Sequence, residues 1–281
     1  MGARTVYTVL EETARKYGKA AALHQPTGKG GYRTYNWLEY QRAAEEIACG
    51  LRSIGIKKGE TVALHSETRA EFYLADLGVL SNGSIAAALY TSYPVIDQVG
   101  NIRACHARAV FVEDPKSMQV LLAAGGQSLA QLQWILLTGE AEGALTLDQM
   151  RAEGRRALDK DLHAFQKIRA EVRAEDPAVL YLTSGATGEP KMGLVTHAAL
   201  ISNIDMGPHV LPLTPSDSTI AFLPSAHIAQ RVVIELLPIR MGVPVWFSES
   251  LAKLPSEMKT IRPTFLLAPP RVWERIWTED H

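Results

Sequence analysis

The feature that most narrows the folds open to this chain is a rhythm of short apolar runs without polar alternation. Runs at 61–64 (TVAL), 84–89 (SIAAAL), 108–112 (RAVFV), 134–137 (WILL) and 179–183 (VLYLT) punctuate the sequence, with helical periodicity at 69–80, 94–105 and 116–123 between the first four. A strand that is apolar on both faces has no side to offer water, so it belongs inside a parallel sheet covered by helices. Alternation at this spacing predicts the α/β class, with stacked, doubly wound, mostly parallel sheets and helices on both faces.

The flanking segments extend this pattern. Val6, Val9, Leu10 and Ala14 share one face of a helix at 5–17. Strands at 21–25 and 32–35 flank the turn TGKGG. Asn36 followed by Glu39 has capping-box spacing, and the helix it opens runs to about 54 and stops at Gly55. Residues 147–172 are rich in charge with thin apolar periodicity, so an exposed helix linking two sheet systems is expected there. The chain divides into two expected units: residues 1–175, a first α/β subdomain with the charged linker at its end, and residues 176–281, a second subdomain incomplete at its C-terminus. In the second, strands are expected at 179–183, 192–196, 219–223, 243–247 and 264–268. Helices are expected at 198–206, at 228–241 with Pro238 in its last turns, and from about 270.

Charge and cysteine content exclude several function classes. Lysine plus arginine total 29 and aspartate plus glutamate 30, so no basic excess points to a nucleic-acid partner. Cys49 and Cys105 form no CxxC pair; a metal or redox site has no support, and free thiols fit a reducing compartment. The N-terminal residues lack the apolar core of a signal peptide. The longest apolar window, 228–247, holds Arg231, Glu235 and Arg240, so no transmembrane segment is expected. The expected setting is cytoplasmic, with peripheral membrane contact left open.

The segment richest in chemistry is 180–197. An apolar strand runs into Thr183, Ser184, Gly185, Ala186, Thr187, Gly188, Glu189, Pro190 and Lys191. Glycines let successive backbone N–H groups converge on a polyphosphate. The hydroxyls of Thr183, Ser184 and Thr187 add donors, and Lys191 adds a mobile positive charge. A Walker loop would space G-x-x-x-x-G-K-S/T and open a helix, whereas Lys191 is followed by a strand-like MGLVT. From these residues alone, a flexible Ser/Thr/Gly hairpin is an equal reading.

The order of residues adds a resemblance. The stretch TSGATGEPKMG is similar to the signature loop T-S-G-T/S-T-G-x-P-K-G of the AMP-forming adenylating superfamily, the acyl-CoA synthetases among them. Ala186 and Met192 depart from that pattern, with Gly193 one place after the usual glycine. Residues 222–231 (FLPSAHIAQR) resemble the L-P-x-A-H-x-x-E-R motif of the long-chain branch, with Gln230 where Glu is usual. Residues 34–40, 59–64, 87–112 and 262–273 resemble further family stretches in family order. The second motif and the RVWER segment lean towards long-chain or bubblegum-type fatty acyl-CoA synthetases.

The resemblance implies the N-terminal portion of a large adenylate-forming domain. It implies a fatty acid substrate, ATP, Mg2+ and coenzyme A, and a reaction that makes an acyl-adenylate and then a thioester. Thr183, Ser184, Gly185, Thr187, Gly188 and Lys191 would hold the phosphates, and His227 would line the acyl pocket. A packing or capping His227 is the plainer alternative, and a structural ion pair is an equal reading of Arg231. No segment matches the family's adenine-stacking, ribose-binding or C-terminal lysine motifs, so no catalytic residue is assigned, turnover by the isolated chain is not expected, and exposed apolar surface is. The other function in view is a non-catalytic relative that binds nucleotide, acyl groups or a partner.

Overall fold

A computed structural model of the protein describes residues 4–184 and 190–279. In chain order the first elements are α1 (Val6–Tyr17), β1 (Ala21–Pro26), β2 (Tyr32–Asn36), α2 (Trp37–Ser53), β3 (Thr61–His65), α3 (Ala70–Ser81), β4 (Ile85–Ala88) and α4 (Val95–Ala104). Then come β5 (Ala109–Val112), α5 (Pro115–Gly125), α6 (Gln127–Ala130), β6 (Gln133–Leu136), β7 (Ala144–Thr146), α7 (Leu147–Lys160) and α8 (Ala164–Glu171). The last are β8 (Pro177–Ser184), β9 (Pro190–Thr196), α9 (His197–Val210), β10 (Thr219–Ala221), α10 (Ile228–Gln230), a π-helical segment Arg231–Leu236, α11 (Leu237–Met241), β11 (Val245–Phe247), α12 (Leu254–Ile261) and α13 (Pro270–Glu279).

Two sheets form, as the unalternated apolar runs require. The larger has the order β7-β6-β5-β3-β4-β8-β9, parallel throughout except for the antiparallel β8–β9 pair. Its central strand β3 is buried at every residue. The smaller sheet has the order β10-β11-β1-β2, in which only β1–β2 is antiparallel. Each sheet draws strands from both sides of residues 175/176. The expected division is therefore not a division between sheets: β8 pairs with β4, and β1 pairs with β11.

The reason lies in α3. All of its residues from Ala70 to Ser81 are buried, so it needs cover on every side. It packs against β3 and β4 of the large sheet, β1 of the small one, and helices α1 and α2. One apolar core fills this space, with Phe72, Tyr73, Leu77 and Leu80 of α3 meeting Leu23, Leu64, Ile234 and Phe247. A second core, including Val110, Val112, Leu121 and Leu180, covers the other face of the large sheet.

The local capping signal holds. The Asn36 side chain accepts from the Glu39 N–H at 2.8 Å, and the Glu39 carboxylate accepts from the Asn36 N–H at 2.8 Å. Other expectations need correction. Residues 147–172 form two helices rather than one, and α7 is half-buried. Gly154 lies so close to α2 that an added Cβ would sit 1.8 Å from the Glu46 carbonyl oxygen. One on Gly50 would sit 2.3 Å from the Met150 carbonyl oxygen. Paired glycines let the two helix backbones touch, while Glu46, buried, accepts from Arg151 at 2.7 Å and from Arg155 at 3.0 Å. The charged stretch is thus an ion-paired lid on α2.

Residues 264–268 are no strand: Thr264 and Phe265 both donate to one carbonyl, Ser218, at 2.9 and 3.3 Å. Prolines at 263, 269 and 270 strip N–H groups from both ends of the run, and β10 is only three residues long. The expected helix at 228–241 changes register through its π-helical turn just ahead of Pro238, where the ring would crowd an α-helical ladder. Strand β7 and helix α12 have no counterpart among the elements expected from sequence. Large apolar side chains are exposed at Met192 and Leu194 of β9 and at Met206 and Val210 of α9. No helix of the described residues is long and apolar enough to cross a membrane.

His197, the first residue of α9, is fully buried. Its Nδ1 accepts from the Val6 N–H at 3.2 Å, and its Nε2 has no partner among the described residues. Burial pushes its pKa from 6.5 down to about 4. Between those values the unfolded chain binds a proton that the folded chain refuses, so stability falls as pH falls. Urea unfolding should show this group removing about 2 kcal/mol between pH 7 and pH 5, a slope that His197→Gln should flatten. Gly154→Ala should cost about 3 kcal/mol in the same measurement, because backbone, not a movable side chain, blocks the methyl.

Candidate functional site

The loop singled out in the sequence joins two paired strands. Thr183 lies opposite Lys191 in the β8–β9 register, Ser184 opposite Pro190, and Tyr181 opposite Gly193. Gly185, Thr187 and Gly188 lie outside the described residues. Lys191 leads into strand β9 and not into a helix, which removes the Walker reading. Its side chain is exposed. The shifted glycine has a local reason, since a Cβ at Gly193 would stand 2.3 Å from the Tyr181 ring. Gly193 leaves the cross-strand space that this ring occupies, and Met192 beside it faces outward.

Strand β8 is parallel to β4, so the hairpin loop emerges at the carboxyl edge of the parallel sheet. That edge is where open α/β sheets bind ligands, because the loops there diverge and leave a crevice. Just past β4 on the same edge stands Tyr90, stacked on Tyr93 with ring centroids 5.0 Å apart. The hydroxyl of Thr68, in the loop after β3, donates to the Leu223 carbonyl at 2.5 Å and lies 2.8 Å from the Ser225 hydroxyl. These bonds tether the segment carrying His227 to the carboxyl edge.

A cavity of about 350 Å3 opens there, bounded by Tyr90, Leu223, His227, Gln230, Leu267 and Pro269. Its walls are mainly apolar, which suits an alkyl or aryl group and opposes a bare charge. His227 is the N-cap of α10: its Nδ1 accepts from the Ala229 N–H at 3.2 Å while the ring lines the cavity. His227 is thus at once a helix cap and part of the cavity wall. A second cavity of about 330 Å3, near Arg33, Glu71, Asp148 and Arg151, carries mixed charge. Among the described residues no group of three or more His, Cys, Asp or Glu side chains could hold a metal ion.

Behind the cavity lies a buried polar cluster that sequence reasoning reached only through Arg231. The Arg231 guanidinium grips Asp76 of α3 with two hydrogen bonds, Nε donating to Oδ2 at 3.1 Å and Nη2 to Oδ1, and both residues are almost wholly buried. The structural ion pair is the outcome. Gln230 donates to the Tyr73 hydroxyl at 3.3 Å. Glu235 is buried, and neither of its carboxyl oxygens has a partner among the described residues. Burial first, and the Asp76 charge second, push its pKa well above the usual carboxylate range, which favours its neutral form. The available signal was an aspartate in the middle of a mostly apolar helix, AEFYLADLGVLS.

The chain as a whole has known relatives. The AMP-binding enzyme family matches residues 10–281. The chain is 28% identical to fatty acyl-CoA synthetase A of Dictyostelium discoideum, covering 97% of this chain and 42% of that protein. It is 29% identical to the peroxisomal long chain acyl-CoA synthetase 7 of Arabidopsis thaliana, over 86% of this chain and 35% of that one. It is 25% identical to the human long-chain-fatty-acid–CoA ligase ACSBG2, over 97% and 41%. The chain thus spans about two fifths of the length of these relatives. Its fold matches the N-terminal domain of FACL13 from Mycobacterium tuberculosis with a TM-score of 0.80 at 19% identity, covering 97% of this chain and 65% of that one. It also matches the anthranilate CoA ligase AuaEII, solved with anthranoyl-AMP, with a TM-score of 0.82 at 20% identity, over 96% and 51%.

The buried cluster makes opposite forecasts for two carboxyls. Asp76→Asn should cost about 3–5 kcal/mol in urea unfolding, because it strands the Arg231 charge. Glu235→Gln should stay within about 1 kcal/mol, because the amide keeps the shape of the carboxyl and strands no charge; an equal loss in both variants would overturn this.

Proposed function

The chain belongs to the AMP-binding enzyme family, and on that footing we propose that it is the N-terminal part of an ATP-dependent, AMP-forming ligase acting on long-chain fatty acids. In this reading a carboxylate oxygen of the fatty acid attacks the α-phosphorus of ATP. The bond to the β-phosphate oxygen breaks, and acyl-adenylate and pyrophosphate result. The thiol of coenzyme A then attacks the acyl carbon, loses its proton and expels AMP. Both reactants of the first step are anions, so the work is positioning and charge compensation.

One observation supports this reading above the others. A Ser/Thr/Gly hairpin with Lys191 at its exit stands at the carboxyl edge of the sheet, one strand from an apolar cavity that His227 lines. Thr183, Ser184, Gly185, Thr187, Gly188 and Lys191 would hold the departing diphosphate. Donors in such a loop act through N–H and O–H groups, and the lysine follows the charge as it leaves. His227 and Tyr90 would flank the start of the acyl chain, with the apolar walls excluding water from the mixed anhydride. Long-chain substrates are favoured by the names of the relatives. Mg2+ would come to the site with ATP, bridging its phosphates. Cys49 and Cys105 are free and buried, in keeping with a cytoplasmic setting.

Titration calorimetry tests the reading. The chain should bind Mg-ATP and a long-chain acyl sulfamate analogue of the adenylate. Lys191→Ala should weaken ATP binding about 10- to 100-fold, the value of a charge-assisted contact to phosphate. His227→Ala should weaken the acyl analogue and spare ATP. Pyrophosphate release from ATP and fatty acid should stay at blank for this chain alone. Absence of binding by both ligands would overturn the assignment.

A further inference from the structure

The buried cluster of Asp76, Arg231 and Glu235 has no part in the steps above. A hydrophobic pair of similar volume would hold two helices together as well or better, because desolvating two charges offsets most of their attraction. What an Arg–carboxylate pair adds is direction: two parallel hydrogen bonds fix both distance and angle.

The segment it holds needs fixing. Residues 228–241 pass from three residues of α-helix through six of π-helix to five of α-helix. A π-helical turn is rare and weakly bonded, and it occurs mostly where a site demands a shifted register. Three consecutive β-branched residues, Val232, Val233 and Ile234, add nothing to its helical preference. The turn is instead held from outside. Arg231, its first residue, is locked to Asp76, and Gln230 just before it donates to Tyr73. Glu235, near its end, lies buried beside Asp76 as well. Tyr73 and Asp76 both belong to α3, the helix with no open face, so the reference point itself cannot move. The residues immediately ahead of the locked Arg231 are those that line the cavity, His227, Ala229 and Gln230.

We propose that Asp76, Arg231 and Glu235 are positioning residues for the acyl cavity, locking the π-helical turn in the register that presents His227 and Gln230 to the acyl group. The acyl identity of the cavity rests on the function proposed above; the clamp does not. Its loss should be read in the geometry of residues 223–237 and in acyl affinity, while the ATP loop, carried on β8 and β9, is spared.

The test pairs Asp76→Leu with Arg231→Met, which removes both charges and leaves neither stranded. Thermal unfolding, amide hydrogen exchange resolved to residues 223–237, and calorimetry with ATP and with the acyl sulfamate analogue are compared with the unaltered chain. A melting temperature within a few degrees is expected, with exchange across 223–237 accelerated at least tenfold, acyl affinity reduced at least tenfold and ATP affinity unchanged. Unaltered exchange in that segment, or unaltered acyl affinity, would overturn the proposal. If the double variant does not fold, Arg231→Lys keeps the charge and loses the two-pronged geometry; the same selective changes are expected of it, and their absence would overturn the proposal equally. If the unaltered chain does not bind the acyl analogue, the cavity assignment fails, and the exchange data alone decide the clamp.

Discussion

Helix α3 has no wet side, and this constraint organises the molecule. A helix apolar around its whole circumference must be enclosed, and no single sheet can do it. The large sheet covers one side, and the small sheet, with α1 and α2, covers the rest. Enclosure makes α3 the most fixed element in the fold. It also makes its most deeply buried carboxylate, Asp76, impossible to leave alone, since an unpaired buried charge costs several kcal/mol. Arg231 answers that demand from the far half of the chain, 155 residues away.

The candidate site inherits its geometry from this arrangement. Strand β4 follows α3 and leads to Tyr90; its neighbour β8 carries the hairpin with Lys191; and the loop after β10 brings His227 to the same edge. The β8–β9 hairpin, proposed above to hold phosphate, and an apolar cavity thus stand at one rim of the parallel sheet. Adenylation needs that combination, a polar grip for the leaving group beside a dry wall for the chain being activated.

Much of this was legible in the sequence wherever the controlling physics is local. Asn36 and Glu39 sit three residues apart and cap the same turn, so two letters sufficed. Apolar runs such as TVAL report that both strand faces are buried, and β3 is buried throughout. The strand-loop-strand hairpin with Lys191 at its exit was readable because two apolar runs flank a short Gly- and Pro-punctuated segment. Non-local facts were hidden. Nothing in 21–26 says that this strand pairs with 245–247, which is why the expected subdomains cut across both sheets. The charged face of 147–172 looked solvated because Gly154 and Gly50 report nothing until brought face to face. Asp76 and Glu235 lay outside the motifs, and their roles depend on a partner chosen by the fold.

The small sheet carries a consequence for how the chain is made. Its order places β1 of the β1–β2 hairpin against β11, which leaves the ribosome more than two hundred residues after that hairpin. That early hairpin has no parallel neighbour while the intervening strands assemble, and a two-stranded hairpin is marginal in water. Parallel pairing over so long a loop is slow and comes late. Synthesis therefore passes through a stage in which the large sheet can form while one flank of α3 stays bare. A nascent chain at that stage is the species on which a chaperone would act.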